Sequence, residues 1–384
     1  MPFASALSEH PDPAVAVGEV AGRLLEGIGD EPDVVLVFAT LPHAGALRSI
    51  AATLRRVVRP GVLAGTIAAG IVGTDREVED RPGLSVWAAR TGDARAVRLV
   101  ARPAGQHGVD IDGWPEPADL GFAPSAVVAV ADPYSFPAEA LLAMADAAGL
   151  PVFGGLCSAG QRPTFVLDDR AYEGGAWAVF LGPGAAVEAV VSQGCRPIGD
   201  AWAVTSTDGP SVVRTLGGRP PIERLSALAA ECLTSEEVAL VNRGGLHVGR
   251  VIDEHKATFE RGDFLVRNVV GADRATGALA IGDRVEVGTT LQFHLRDAVA
   301  ADEDIHALLR SRTADAALLF TCNGRGVSTF GVADHDARAL RDEVGPVPVA
   351  GFFAAGEFGP VGGRNFLHGF TASVALLKDR AAPG

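Results

Sequence analysis

A segment of the form small-Gly-x-x-small-Ala-Gly occurs three times in this chain, as Ala64–Gly70, Gly154–Gly160 and Ala350–Gly356. Each copy follows an apolar strand pattern and an Ala-rich helical pattern. Each is followed by another apolar run, at Leu84–Ala89, Ala176–Leu181 and Thr371–Leu377. Three copies in one order mark an internal duplication, so the chain is constrained to repeated β-α-β-β modules. In such modules the loops after strands are the usual place for a site.

The periodicity supports this layout. Residues 12–28 read as an amphipathic helix opened by Asp12-Pro13, with Ala14, Val17, Ala21, Leu24, Leu25 and Ile28 on one face. The first module runs from a strand at Val34–Ala39 through a helix around Ala44–Val57. The second pairs Val127–Ala131 with a helix at Pro137–Ala148. The last joins Ala317–Thr321, a helix at Asp336–Glu343 and strands at Val347–Phe352 and Phe370–Leu377, after a helix at Asp302–Ser311. Residues 91–124 and 187–216, rich in Gly and Pro, read as surface or extended connections. The stretch from a helix near Ile222–Cys232 to a strand near Thr289–Leu295 is compatible with a fourth, degraded module. The expected fold is mixed α+β, with two related domains at 1–192 and 193–384. Paired modules would bury two sheets face to face in α-β-β-α sandwiches.

Composition narrows the function. A chain of 384 residues suits two domains. With 6% aromatic residues, its core must be mostly Ala, Val and Leu. A formal charge of −14 without a basic run argues against nucleic acid and disfavours anionic membranes. No signal peptide or membrane-length apolar run is evident. Cys157, Cys195, Cys232 and Cys322 form no C-x-x-C pair, which suggests neither zinc nor disulfides and fits a reducing cytoplasm. Without Walker A, H-E-x-x-H or a suitably placed G-x-G-x-x-G, no cofactor or metal is expected.

The C-terminal stretch carries longer motifs: Gln-Phe-His-Leu-Arg-Asp at 292–297, Leu-Leu-Phe-Thr-Cys-Asn-Gly-Arg-Gly at 318–326, and Gly-Glu-Phe-Gly-Pro-Val-Gly-Gly-Arg-Asn-Phe-Leu-His at 356–368. With Val-Leu-Val-Phe-Ala-Thr at 35–40 and Arg-Glu-Val-Glu at 76–79, they closely resemble the FIST proteins, which pair FIST N and FIST C domains. The resemblance spans nearly the whole chain. It implies a sensory module for small ligands such as amino acids, acting in intracellular signal transduction. Many relatives are joined to kinase, cyclase-type, chemotaxis or F-box outputs. This chain is expected to report to a separate partner, or to act alone, and to be a homodimer only on general grounds. The first Gly segment departs from the family, carrying Thr66-Ile67 where relatives often have Cys-Thr, which argues against a shared cysteine function there.

Three clusters are candidate ligand contacts. In the Gly-rich loop 356–368, Arg364 suits a carboxylate and Glu357 an ammonium, with Asn365 and His368 beside them; the alternative is a buried structural loop. Cys322, Asn323 and Arg325 follow a predicted buried strand, where α/β sheets favour ligands. Cys322 is also a weak catalytic candidate if a base lies nearby. In the strand 292–296, His294 and Arg296 share one face, opposite Phe293 and Leu295. Gly155–Gly160 superficially suggests a nucleophile elbow, but the repeat explains it as a shared turn. Asp302–His306 and Asp334–Asp336 read as helix-opening acidic residues rather than metal ligands. Two other readings stay open: an enzyme acting on a small amino compound through Cys322 or Glu357/His368, and a protein–protein adaptor without a small ligand.

Overall fold

A computed structural model of the chain describes residues 2–104, 108–160 and 164–380. It is mixed α+β and divides into two compact units: Met1–Val191 with Ile305–Gly384, and Ser192–Asp304. The chain enters the second unit at Ser192 and leaves it at Asp304, so the stretch expected as one domain at 193–384 is divided between the two units. The last part of the chain returns to the first.

The first unit holds all three modules. In each, a buried strand leads through a helix to the Gly-bearing strand, which pairs parallel to the first: Val34–Thr40 with Val62–Ala68, Ala126–Ala131 with Val152–Leu156, and Ala316–Cys322 with Val349–Ala354. The closing strand then returns antiparallel to the first: Leu84–Ala89, Ala176–Leu181 and Thr371–Asp379.

The repeated glycine has a steric cause. Gly65, Gly154 and Gly351 lie opposite Val37, Ala129 and Leu319 of the partner strand. A Cβ at any of these glycines would stand under 3.0 Å from that partner's carbonyl oxygen. The middle copy is therefore offset by one residue from the sequence repeat: Gly154, at φ +126°, occupies the shared position. Gly155 is needed for another reason, the approach of the Gly356 carbonyl at 2.5 Å from its would-be Cβ.

Between its Gly strand and its closing strand, each module sends a β-hairpin to another module's sheet. The hairpin Gly70–Val72/Glu77–Glu79 of the first module pairs with Val349–Ala354 of the third. Thr164–Leu167/Arg170–Glu173 of the second pairs with Val62–Ala68 of the first. Glu357–Val361/Arg364–His368 of the third pairs with Val152–Leu156 of the second. The exchange is cyclic, so every Gly strand is flanked by chain from elsewhere.

The inner faces of the three sheets converge on one core that includes Phe38, Phe153, Trp177, Phe320 and Phe352. Trp177 donates its indole N–H to the Gly65 carbonyl across it (3.2 Å). Helices cover the outer faces: Pro13–Ile28 and Leu47–Val57 on the first sheet, Ala138–Ala147 on the second, and His335–Val344 on the third. The expected layering of helix outside and sheet inside is present, with three sheets around the core rather than two. Asp12 caps the first helix, its carboxylate accepting from Ala14 N–H (2.8 Å).

Other stretches differ from expectation. An N-terminal strand, Phe3–Ser8, pairs with Leu84–Ala89. Within 91–124, the strand Ala94–Ala104 pairs with both Ala176–Leu181 and Gly108–Asp112. The second unit is no fourth module. Its strands Cys195–Thr207, Val212–Leu216, Leu279–Ile281, Phe264–Ala272, Leu246–Val251 and Thr290–Arg296 close in that order into a barrel. Alternate residues, Phe293 and Leu295 among them, fill its interior.

Candidate functional site

The first strands of the three modules end at equivalent positions. Val34, Ala126 and Ala316 each oppose the last paired residue of the closing strand, and six residues on stand Thr40, Asp132 and Cys322. All three are buried. Two are satisfied locally. Thr40 donates its hydroxyl to the Arg81 carbonyl (2.8 Å). Asp132 accepts from Tyr134 N–H (2.9 Å) and the Ser135 hydroxyl (2.5 Å).

The third strand end is different. Beyond Cys322 the chain turns at Gly324, whose N–H donates to the Cys322 sulfur (3.4 Å), and brings Arg325 inward to 3% exposure. Asp336 holds Arg325 by Nε and Nη2, both at 2.7 Å, while Nη1 is buried without a hydrogen-bond partner among the described residues. Asp336 also accepts from the Thr321 hydroxyl (2.5 Å), and its Oδ1 lies 2.9 Å from His335 Nδ1. Burial alone would raise the Asp336 pKa; the guanidinium outweighs it and holds the carboxylate ionised. Phe330 lies 5.1 Å from the guanidinium carbon, and its ring stacks on His335 at 3.4 Å.

Glu357 is fully buried next to this group. Its Oε2 accepts from Thr371 N–H (3.1 Å) and the Thr371 hydroxyl (2.7 Å). Its Oε1 has no hydrogen bond of good geometry, although the Cys322 thiol is close enough to lower its pKa somewhat. Burial dominates and pushes the pKa up to about 8, against the pull of Thr371, Cys322 and Arg325. Phe370, which precedes Thr371, sits at φ +63°, an uncommon backbone state for a bulky residue. Burial, with the neighbouring Glu357, pushes the Cys322 thiol up to about 12, so it is not a thiolate nucleophile near neutral pH.

The hairpin from the first module adds acids to the same region. Glu77 N–H donates to Asp334 Oδ1 (2.8 Å), and Glu77 Oε1 accepts from Ala337 N–H (3.0 Å). Glu79 accepts from Val327 N–H (3.1 Å). Burial, and after it the Asp336 charge, raises Glu77 to about 8. Asp334 and Asp336 therefore do more than open a helix: they anchor the received hairpin and Arg325. This role was missed because the hairpin lies far away in sequence.

The structure thus brings Cys322, Arg325 and Glu357 together. Asn323 is beside them but exposed, its N–H donating to the Ala354 carbonyl (2.8 Å). The remaining candidates, apart from His368, lie elsewhere. Arg364 is exposed where its strand leaves the hairpin turn, with its guanidinium carbon 5.5 Å from the Phe366 ring. Asn365 is a structural tie: its amide accepts from Val152 N–H (2.7 Å) and donates to Asp146 (2.7 Å) and the Leu150 carbonyl (2.9 Å). His368 stands opposite Glu357 in the hairpin, with Nε2 2.9 Å from the Gly359 carbonyl.

His294 and Arg296 belong to the barrel. His294 is buried edge-on to Phe264 and over Gly249, with Nδ1 3.1 Å from the Gln292 carbonyl. Burial drives its pKa down to about 4, leaving a neutral ring. Ser158 is occupied at the junction of the modules, accepting from Ala69 N–H and donating to the Phe353 carbonyl. Asp302–His306 lies inside the helix Ala298–Leu309 rather than at its start. There Asp304 accepts from the Ser192 hydroxyl and Gln193 N–H, both at 2.8 Å. Among the described residues, no helix is long and apolar enough to cross a membrane.

Comparison with known proteins finds relatives over nearly the whole chain. An uncharacterized protein of Mycobacterium tuberculosis is 42% identical over 385 aligned positions, covering 97% of this chain and 98% of the relative. One from Mycobacterium bovis is 41% identical, covering 96% and 97%. The FIST N domain matches residues 33–219 and the FIST C domain residues 224–360. The chain therefore belongs to the FIST family, whose domains are associated with sensing in signal transduction.

Proposed function

We propose that this chain is a small-ligand sensor in intracellular signal transduction, and that its ligand engages the strand end of the third module. The observation that carries this reading is a pair of buried polar atoms, Arg325 Nη1 and Glu357 Oε1, that have no well-formed hydrogen bond among the described residues, on groups that feel one another's charge. Buried polar atoms are normally paired, and each one left alone costs about 1–3 kcal/mol. Thr40 and Asp132 bear no such cost, although both ring nitrogens of His43, three residues past Thr40, are also buried without a hydrogen bond; what favours binding at the third strand end is the pairing of two oppositely charged groups.

An amino acid fits the two groups. Its carboxylate would take the free Arg325 nitrogen, and its ammonium would take Glu357. Glu357, protonated when empty, would ionise against the ammonium. Binding near neutral pH would then release a proton. Entry would require movement of 323–335, where Gly326 and Gly331 have positive φ and Val327 and Val332 are exposed. The signal would pass to a separate cytoplasmic protein.

The test is a thermal-shift panel of amino acids, preceded by native mass spectrometry to detect a co-purified molecule. At least one amino acid should stabilise the wild type and fail to stabilise Glu357→Gln. Calorimetry in buffers of different ionisation enthalpy should show proton release. A wild type that retains no small molecule and responds to no amino acid overturns the reading.

A further inference from the structure

A cleft lies in the first unit, between the helix Leu47–Val57 and the received hairpin Thr164–Leu167/Arg170–Glu173. Its volume is about 810 Å³. Arg55 and Arg56 from the helix, Arg98 from the strand Ala94–Ala104, and Arg170 from the hairpin line it. Asp168 and Asp169 supply the opposing charge. A protein of net charge −14 thus gathers four guanidiniums against two carboxylates in one concavity.

These arginines are unequally occupied. Arg55 is tied to Asp168 (3.2 Å) and to the Pro60 carbonyl (2.7 Å). The Arg98 guanidinium carbon lies 4.2 Å from the centre of the Tyr172 ring. The side chains of Arg56 and Arg170 are exposed and have no ion pair or hydrogen bond among the described residues. The Tyr172 hydroxyl, on a residue that also lines the cleft, is buried without a hydrogen-bond partner among the described residues. Burial keeps it protonated and able to donate.

The internal repeat supplies a comparison. The corresponding place in the second module, between the helix Ala138–Ala147 and its received hairpin, is closed by Asn365 bonding Asp146, Leu150 and Val152. In the third, Arg341 of the helix faces Asp75 of the hairpin at 3.6 Å. Only the first module combines an open cleft with arginines lacking acidic partners, among the described residues.

We propose that this cleft binds a phosphorylated small molecule carrying two or more phosphate groups, either a nucleotide or a free oligophosphate. Planar guanidiniums match phosphate oxygens bidentately, and a cleft of this size lies within the range of small-molecule sites. Arg56 and Arg170 would take the phosphate chain, and the Tyr172 hydroxyl would donate to it. This site is separate from Cys322, Arg325 and Glu357 and does not depend on their role.

The test is equilibrium titration of the full chain with ATP and with inorganic triphosphate, each without divalent metal, at low and physiological salt. Saturable binding is expected for at least one probe. The double variant Arg56→Ala/Arg170→Ala should weaken it at least about tenfold. Arg364→Ala, which removes an exposed arginine elsewhere, should leave it unchanged. Both substitutions are on exposed side chains, and an unchanged circular dichroism spectrum and melting temperature would confirm folding. Equal binding of both probes identifies the phosphate chain as the recognised part, and binding of ATP alone assigns the site to a nucleotide. Absence of saturable binding by either probe, or equal weakening by Arg364→Ala, overturns the proposal.

Discussion

Replacing Glu357 by Gln should make the protein more stable at mildly alkaline pH and flatten its dependence on pH. In the folded protein this carboxyl releases its proton near pH 8; its ordinary value is 4.5. The native state therefore holds a proton that the unfolded chain gives up, so stability falls as pH rises from 4.5 through 8. The full difference corresponds to about 5 kcal/mol. About 1.4 kcal/mol of this is already lost by pH 5.5, so about 3 kcal/mol is the expected loss between pH 5.5 and 8.5. A Gln at 357 can still accept from Thr371 N–H and hydroxyl and carries no charge to desolvate. Urea unfolding at pH 5.5, 7 and 8.5 should show the two proteins close in stability at the lowest pH, with the variant ahead by about 3 kcal/mol at the highest. Glu77, also raised to about 8, stays in both proteins, so the difference between the curves isolates Glu357. A gap that is the same at pH 5.5 and 8.5 would refute the argument that burial holds this carboxyl neutral.

Other outcomes follow from the same geometry. Gly154→Ala puts a side chain at φ +126° against the Ala129 carbonyl and should cost at least about 3 kcal/mol or prevent folding. Gly18→Ala, at an exposed helical site with open space around it, should instead add about 1 kcal/mol by thermal melting. Asn365→Ala leaves Val152 N–H unpartnered and should cost about 2–3 kcal/mol in urea unfolding; an unchanged stability would contradict its assignment as a tie between modules. Brief iodoacetamide treatment of the native protein at pH 7.5 should modify the exposed Cys232 and spare the buried Cys157, Cys195 and Cys322, as read by peptide mass spectrometry. Rapid labelling of Cys322 would show its thiol to be more acidic and accessible than its burial implies.

Local patterns in the sequence carried most of the modular fold. Apolar runs at Val34–Thr40, Ala126–Ala131 and Ala316–Cys322, each followed by a helical pattern, mark strands that are buried on both faces. The hairpin exchange was not legible, because strand pairing between distant segments leaves no periodicity in either one. The barrel was missed for a related reason: strands near Phe264–Val270, Gly277–Ile281 and Thr289–Leu295 were legible, but 187–216 read as extended connections, and closure rests on pairing between distant segments. At the site, Cys322 and Arg325 were marked by their place after an apolar strand, and Glu357 by its charge in a Gly-rich loop. Arg364 and Asn365 were marked by chemistry alone, and chemistry does not reveal which way a hairpin faces. Glu77, Asp334 and Asp336 act through pairing between modules, which a local reading cannot see.

The cyclic exchange of hairpins also bears on how the protein is made. Synthesis runs from the N-terminus, and the second module is complete when Leu181 emerges. The edge of its Gly strand at Gly154–Gly155 then has no partner until Glu357 and Phe358 are added, after the whole barrel has been translated. The hairpin 70–79 of the first module waits equally for Val349–Ala354. An open strand edge is a template for unwanted pairing. The nascent chain thus carries an incomplete sheet through nearly half of its elongation, and its yield in a cell should depend on translation speed and chaperone supply between Leu181 and Phe358.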